Sequence, residues 1–168
     1  LVLATGVFRM TKRNVLVKRL QAVEALGQAN VIALDKTGTI TKNQMMVEQL
    51  IVGGERYTVG GVGYEPKGSL YKDGATVVPA THEGILLAAK IAAWTVTAHV
   101  AYDQADKEWK RILGDPTEVA LLVFADKMGL PKRELEQQYP QVLDVPFTFK
   151  NKYHASINRV GSGRTLSV

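Results

Sequence analysis

Residues 31–41 read Val-Ile-Ala-Leu-Asp-Lys-Thr-Gly-Thr-Ile-Thr: an apolar run that ends in an acid and a small-residue turn. A carboxylate at such a place can do phosphoryl chemistry. Asp35 can attack a phosphoryl group and become an acyl phosphate, with turn amides close by to steady the charge. Doing so against a triphosphate requires a divalent cation, and Mg2+ suits because it accepts one or two carboxylates together with phosphate oxygens. The four apolar residues before the acid predict a buried parallel strand over 31–35, and ligands of open α/β sheets bind outside the carboxyl edge of such strands. Taken alone, an Asp-x-x-Gly string is more often a plain turn with Asp as its initiator.

Two further segments hold candidate groups. Gly114-Asp115-Pro116-Thr117-Glu118 reads as a helix start, with Asp115 as N-cap, Pro116 in the first helical position and Glu118 placed as in a capping box. One carboxylate has several acceptor sites, so Glu118 can cap and still bind a ligand. Val145-Pro146-Phe147-Thr148-Phe149-Lys150-Asn151-Lys152-Tyr153 reads as a strand with Pro146 at an edge or bulge. Its two phenylalanines, two residues apart on one face, are more often core than ligand platform.

These groups need elements to position them. Apolar spacing predicts a helix over 9–28 that Gly27 stops, although Asn14 weakens its middle. Residues 45–52 predict a strand, and the glycine-dense stretch 53–79 predicts hairpins, with Tyr57–Val59 as a β-prone piece. A helix is expected over 81–100 with Thr81 as N-cap, and a second from Asp115 to near Gly129. Strands are expected over 142–149 and 152–160, followed by a Gly161-Ser162-Gly163 turn into a third, Arg164–Val168. The fold class is therefore the start of an α/β unit followed by a larger α+β unit, joined near 42–45.

The 168 residues are 46% apolar, enough for an ordinary core and against disorder. Without cysteine there is no disulfide framework or thiolate site. The three histidines, His82, His99 and His154, have no ligand spacing, which argues against zinc or iron. The net charge of +5 is split between a cluster at 9–19 and another at 150–164 with no aromatic-interleaved basic motif, so no nucleic-acid partner is expected. Leu1–Phe8 is too short to span a bilayer, but an apolar stub followed by basic residues is what the cytoplasmic end of a membrane helix looks like. A basic amino terminus on a soluble domain fits those residues equally well.

The string Asp35-Lys36-Thr37-Gly38-Thr39-Ile40-Thr41 resembles the signature of the P-type ATPases, the cation pumps, at every position. Gly114–Leu121 is similar to the Gly-Asp-Pro-Thr-Glu-x-Ala-Leu motif of the type II pumps, and 146–153 to their Pro-Phe-x(4)-Lys-Tyr segment. The resemblance implies Asp35 as the phosphorylated residue and a magnesium site at Asp35 and Thr37. It further implies phosphate or ATP contacts at Lys36, Thr37, Thr39 and Asp115. Glu118 would reach the adenine amino group, Phe147 would stack on adenine, and Lys152 would bring positive charge. His154 falls where a polar adenine contact often lies, and Lys150 stands in for an arginine that Phe149 replaces. Thr37 occupies the position where the related haloacid-dehalogenase-type phosphatases commonly carry a general acid–base, which favours a persistent phosphoenzyme over a phosphatase. Residues 97–101 depart from the family pattern, and only a packing difference is expected there.

The resemblance implies three segments: 1–29, the end of a membrane helix and a cytoplasmic stalk; 30–43, the first segment of a haloacid-dehalogenase-like phosphorylation domain; and 44–168, an antiparallel-sheet nucleotide-binding domain with flanking helices. The motifs that complete the phosphorylation site, the actuator loop and nearly all membrane helices are not in this sequence. The partners implied are therefore ATP and the remaining domains of one membrane pump, of which this segment is cytoplasmic and inactive alone. Calcium is the first expectation for the ion, from Gly-x-Gly-Tyr-x-Pro-x-Gly at 61–68, although 146–153 leans toward sodium/potassium pumps. The alternatives are a stand-alone nucleotide-binding or regulatory module and a haloacid-dehalogenase-type phosphatase.

Overall fold

The structure, a computed structural model, describes residues 2–103 and 108–168. The chain divides into two compact units, Leu1–Lys42 and Asn43–Val168. Leu1, the first residue of the apolar stub, lies outside the described residues.

The first unit holds α1 (Val2–Thr11) and α2 (Gln21–Gly27). The single helix expected over 9–28 is thus corrected to two. Asn14 sits in the left-handed region at φ 61°, which a continuing helix cannot contain. Gly27 ends α2 as expected. No helix among the described residues is long and apolar enough to cross a membrane. The strand expected over 31–35 is also corrected: the segment pairs with no described residue, and Val31, Ile32 and Leu34 are exposed. A parallel strand exists only through its neighbours, and this unit supplies none among its described residues.

The second unit opens with an antiparallel meander, β1 (Gln49–Val52), β2 (Glu55–Val59), β3 (Leu70–Lys72) and β4 (Ala75–Val77), in spatial order β1-β2-β3-β4. Its two-residue turns, Gly53-Gly54 and Asp73-Gly74, place all four residues at positive φ, which matches the strand twist. The expected hairpins of 53–79 are therefore present, whereas the strand expected over 45–52 begins only at Gln49. Between β2 and β3 the glycines let two backbone stretches touch, since a Cβ on Gly68 would collide with the Gly60 carbonyl. The Lys127 ammonium closes this loop by donating to that carbonyl at 2.9 Å. Burial holds the Lys127 pKa below its usual value.

Next come α3 (Glu83–Trp94), the hairpin β5 (His99–Asp103) and β6 (Glu108–Leu113), then α4 (Pro116–Lys127) and α5 (Lys132–Gln138). A last antiparallel sheet joins β7 (Gln141–Val145), β8 (Ala155–Val160) and β9 (Gly163–Ser167). Core side chains come from β2 and β3 (Tyr57, Val59, Leu70), α3 (Ile85, Ala89, Ala93) and α4 (Val119, Leu122, Val123). Burying each large aliphatic among them contributes about 1.5–3 kcal/mol.

The helix expected over 81–100 is shorter at both ends. Thr81 does not cap it; its hydroxyl donates instead to the Val78 carbonyl within a preceding 3-10 turn. The helix stops at Thr95, and the β-branched run Thr95-Val96-Thr97 leads into β5, a strand that sequence patterning missed. In the last sheet β7 ends at Val145, because Pro146 has no N–H to give the ladder, and β8 begins at Ala155 rather than 152.

Candidate functional site

Asp35 has an extended backbone (φ −73°, ψ 141°), and its Oδ1 accepts a long bond from the Thr37 amide at 3.4 Å. Gly38 then turns the chain at φ 76°. Thr41 staples the loop: its amide donates to the Lys36 carbonyl at 3.0 Å, and the Gly38 amide donates to its hydroxyl at 3.4 Å. Lys36, Thr37 and Thr39 all lie on this short turn and, like Asp35, are exposed. The carboxylate therefore keeps most of its acceptor capacity.

In the second unit, Asp115 (φ −67°, ψ 140°) caps α4, with Oδ1 accepting from the Thr117 amide at 2.8 Å. Pro116 loses no bond there, because the first helical amides have no intrahelical partner. Glu118, one turn in, reaches back across the preceding loop. Its Oε2 accepts from the Thr97 amide at 3.0 Å, the Thr97 hydroxyl at 3.0 Å and the Ala98 amide at 2.9 Å. Gly114 makes this approach possible, since at φ 129° a Cβ would lie 2.5 Å from that of Ala98. The carboxylate thus ties α4 to the loop before β5, in the first turn where the helix dipole favours negative charge. Its other oxygen, Oε1, stands 3.9 Å from His154 Nδ1.

His154, just before β8, is buried rather than turned to solvent. Its Nε2 lies 2.7 Å from Asp144 Oδ1 on β7. Asp144 also accepts from the Gln141 side-chain amide at 3.2 Å, which donates to Ser156 Oγ at 3.1 Å. Ser156 in turn donates to Asn158 at 2.7 Å, and Asn158 donates to the Tyr139 carbonyl at 3.2 Å. This partnered chain lets the sheet bury Ser156 and Asn158 completely.

The β7–β8 connection carries the aromatic pair. It is a loop, not the expected strand, turned by Lys152 (φ 64°), whose amide donates to the Thr148 carbonyl at 2.8 Å. Phe147 is 48% and Phe149 83% exposed, so neither ring is a core residue, the commoner role for such a spacing. Their rings meet edge to face at 5.8 Å, and the Lys152 ammonium sits 5.3 Å from the centre of Phe149. Two aromatics held open to water beside an ammonium can take a flat, electron-rich ring with an anionic tail. Lys150 lies exposed on the same loop.

Glu118 and His154 are thus brought together, and Phe147 and Lys152 share one loop. Asp35, Lys36, Thr37 and Thr39 belong to the other unit. Thr97, Ala98 and Asp144 were not anticipated from sequence. The only signal for the first two was the departure at 97–101, which does more than alter packing because the Thr97 hydroxyl bonds Glu118; the side chain of Ala101 lies outside the described residues. Among the described residues, no three His, Cys, Asp or Glu side chains converge as a metal cage. Asp35 offers exposed carboxylate oxygens, the ligand type that magnesium takes.

A family model described as P-type ATPase, cytoplasmic domain N, matches residues 86–168. The cation-transporting ATPase pma1 of Synechocystis is 40% identical over 177 residues, covering 99% of this chain and 18% of that protein. The calcium-transporting ATPase of Bacillus subtilis is 37% identical, over 89% of this chain and 16% of its own length. For the calcium-transporting ATPase type 2C member 1 of Bos taurus the identity is 39%, over 91% of this chain and 15% of that protein. The chain therefore spans 15–18% of the length of these relatives. It belongs to the P-type ATPase family, with residues 86–168 in that family's cytoplasmic domain N.

Proposed function

We propose that this chain is the ATP-binding and phosphoryl-accepting cytoplasmic part of a membrane pump for cations, calcium first among them. The observation that carries the reading is Glu118. Three donors satisfy one of its oxygens, and the other, which accepts no hydrogen bond from a described residue, would accept from a ligand amino group. The adenine ring would stack on Phe147, with Lys152 attracting the phosphates. Asp115 caps the helix that presents Glu118 and supports the site in that way.

Asp35 would take the γ-phosphoryl group, its carboxylate oxygen attacking phosphorus as the bond to ADP breaks. Thr37 and Thr39 would steady the transferring oxygens and Lys36 their charge; positioning and charge neutralisation are most of the catalysis in such transfers. Magnesium, held by Asp35 and the Thr37 backbone together with groups from elsewhere, would neutralise the meeting charges. In this reading residues 1–29 are the end of a membrane helix and the cytoplasmic stalk, 30–43 open the phosphorylation domain, and 44–168 belong to the nucleotide domain. The exposed apolar residues of 31–34 fit that view, since a strand of a parallel sheet needs neighbours from other parts of a longer protein.

The test is acid-quenched labelling of a pump containing this segment, with magnesium and γ-labelled ATP. A hydroxylamine-sensitive label that Asp35→Asn abolishes is expected. Its absence from the unsubstituted protein overturns the phosphoryl-accepting role, and rapid phosphate release from a generic phosphomonoester favours the phosphatase reading.

A further inference from the structure

We infer that Asp144 is a positioning residue for base selectivity, acting on Glu118 through His154 without touching the nucleotide. The inference rests on the nucleotide reading of the Glu118 site and extends it to a residue one step removed. An ionised carboxylate can only accept, so the 2.7 Å contact with Asp144 places a proton on His154 Nε2. That leaves Nδ1 as the variable atom. It is buried without a hydrogen-bond partner, on a side chain 93% removed from solvent, and it faces Glu118 Oε1 at 3.9 Å.

Glu118 is bonded at one oxygen and flanked at the other. The Thr97 and Ala98 donors fix Oε2. The imidazole, braced from behind by Asp144, stands beside Oε1 and limits how the carboxylate can rotate. Asp144 is itself fixed by Gln141, which is anchored through Ser156 and Asn158 to the sheet. This bracing sets the direction of the one Glu118 oxygen left for a ligand. A fixed acceptor rewards an exocyclic amino group and leaves a ring carbonyl facing another acceptor, so rigidity here is selectivity for amino- over oxo-purines. In a metal site the same arrangement, a carboxylate that fixes an imidazole, tunes a group it never meets.

The test is calorimetric titration of the chain with ATP and GTP, for the unsubstituted protein, Asp144→Asn, Glu118→Gln and the double variant. Loss of the charged bond that braces His154 should lower the ATP-to-GTP affinity ratio of Asp144→Asn about fivefold, at little cost to GTP binding. In the Glu118→Gln background, Asp144→Asn should change the ratio no further. The 15N shifts of the His154 ring should report an Nε2–H tautomer that Asp144→Asn loses. If Asp144→Asn weakens both nucleotides equally, Asp144 is merely structural and the inference is overturned, while a preference that depends on Glu118 leaves the nucleotide reading standing. If the unsubstituted chain binds ATP with no dependence on Glu118, the parent reading falls and this one with it.

Discussion

The turn after Asp35 and the helix after Asp115 begin alike and end differently. Both acids have the same extended backbone, and both accept from the amide of a threonine two residues on, at 3.4 Å and 2.8 Å respectively. After Asp35, Thr37 stays extended and Gly38 turns left-handed, so the chain makes one irregular turn that remains exposed. After Asp115, α4 runs for 12 residues and buries six of them. An Asx bond starts a turn, whereas apolar burial propagates it. The two ends also suit different chemistry. An exposed carboxylate on a short turn keeps most of its acceptor sites, and one tied by three donors, as Glu118 is, is fixed in direction.

The largest expected effect tests the burial half of this contrast. Leu122→Ala in α4 should cost about 3 kcal/mol in denaturant unfolding, and Ile32→Ala in the exposed segment less than about 0.5 kcal/mol. Equal costs would mean that 31–34 packs as a core strand does. Phe147→Ala comes next. It should weaken ATP binding by about 1–3 kcal/mol, the range for one stacked base, and leave the melting temperature unchanged because the ring is already half exposed. A fall in melting temperature would return Phe147 to the core.

Removing each cap compares the two starts directly. Asp115→Ala should destabilise the second unit by about 1 kcal/mol, whereas Asp35→Ala should change stability by less than about 0.3 kcal/mol. The smallest effect is a pH dependence. Desolvation first, and the Glu134 charge second, raise the Asp126 pKa on α4 from 3.8 to about 6. A carboxyl raised on folding contributes stability that is complete below 3.8 and is lost as pH rises through about 6. Urea midpoints should therefore improve on going from pH 7 to pH 5, by something under about 1 kcal/mol after solvent screening, and Asp126→Asn should flatten that trend.

What was legible in the sequence was local. Asp115 and Pro116 announce a helix start within three residues, the glycines of 53–79 announce hairpins, and Gly27 marks the end of α2. What was not legible depended on partners. The run 31–34 is apolar enough for a strand, yet pairing decides strands, and none of the described residues pairs with it. β5 follows a helix-prone stretch without a break that patterning detects, and only its pairing with β6 makes it a strand. Phe147 and Phe149 have the spacing of a strand face, but Pro146 ends the ladder before them. At the site, Glu118 was visible as a motif position, while Thr97, Ala98 and Asp144 were not, because they are brought to it only by the folded chain.

The most direct test of the account is an ATP titration of the 15N-labelled chain followed by NMR. Shifts concentrated at the Thr97 and Ala98 amides and across 147–152 are the predicted result. Shifts centred instead on the concavity at the start of α3, around Glu83, Leu87 and Lys90, or no shifts at millimolar ATP, would contradict it.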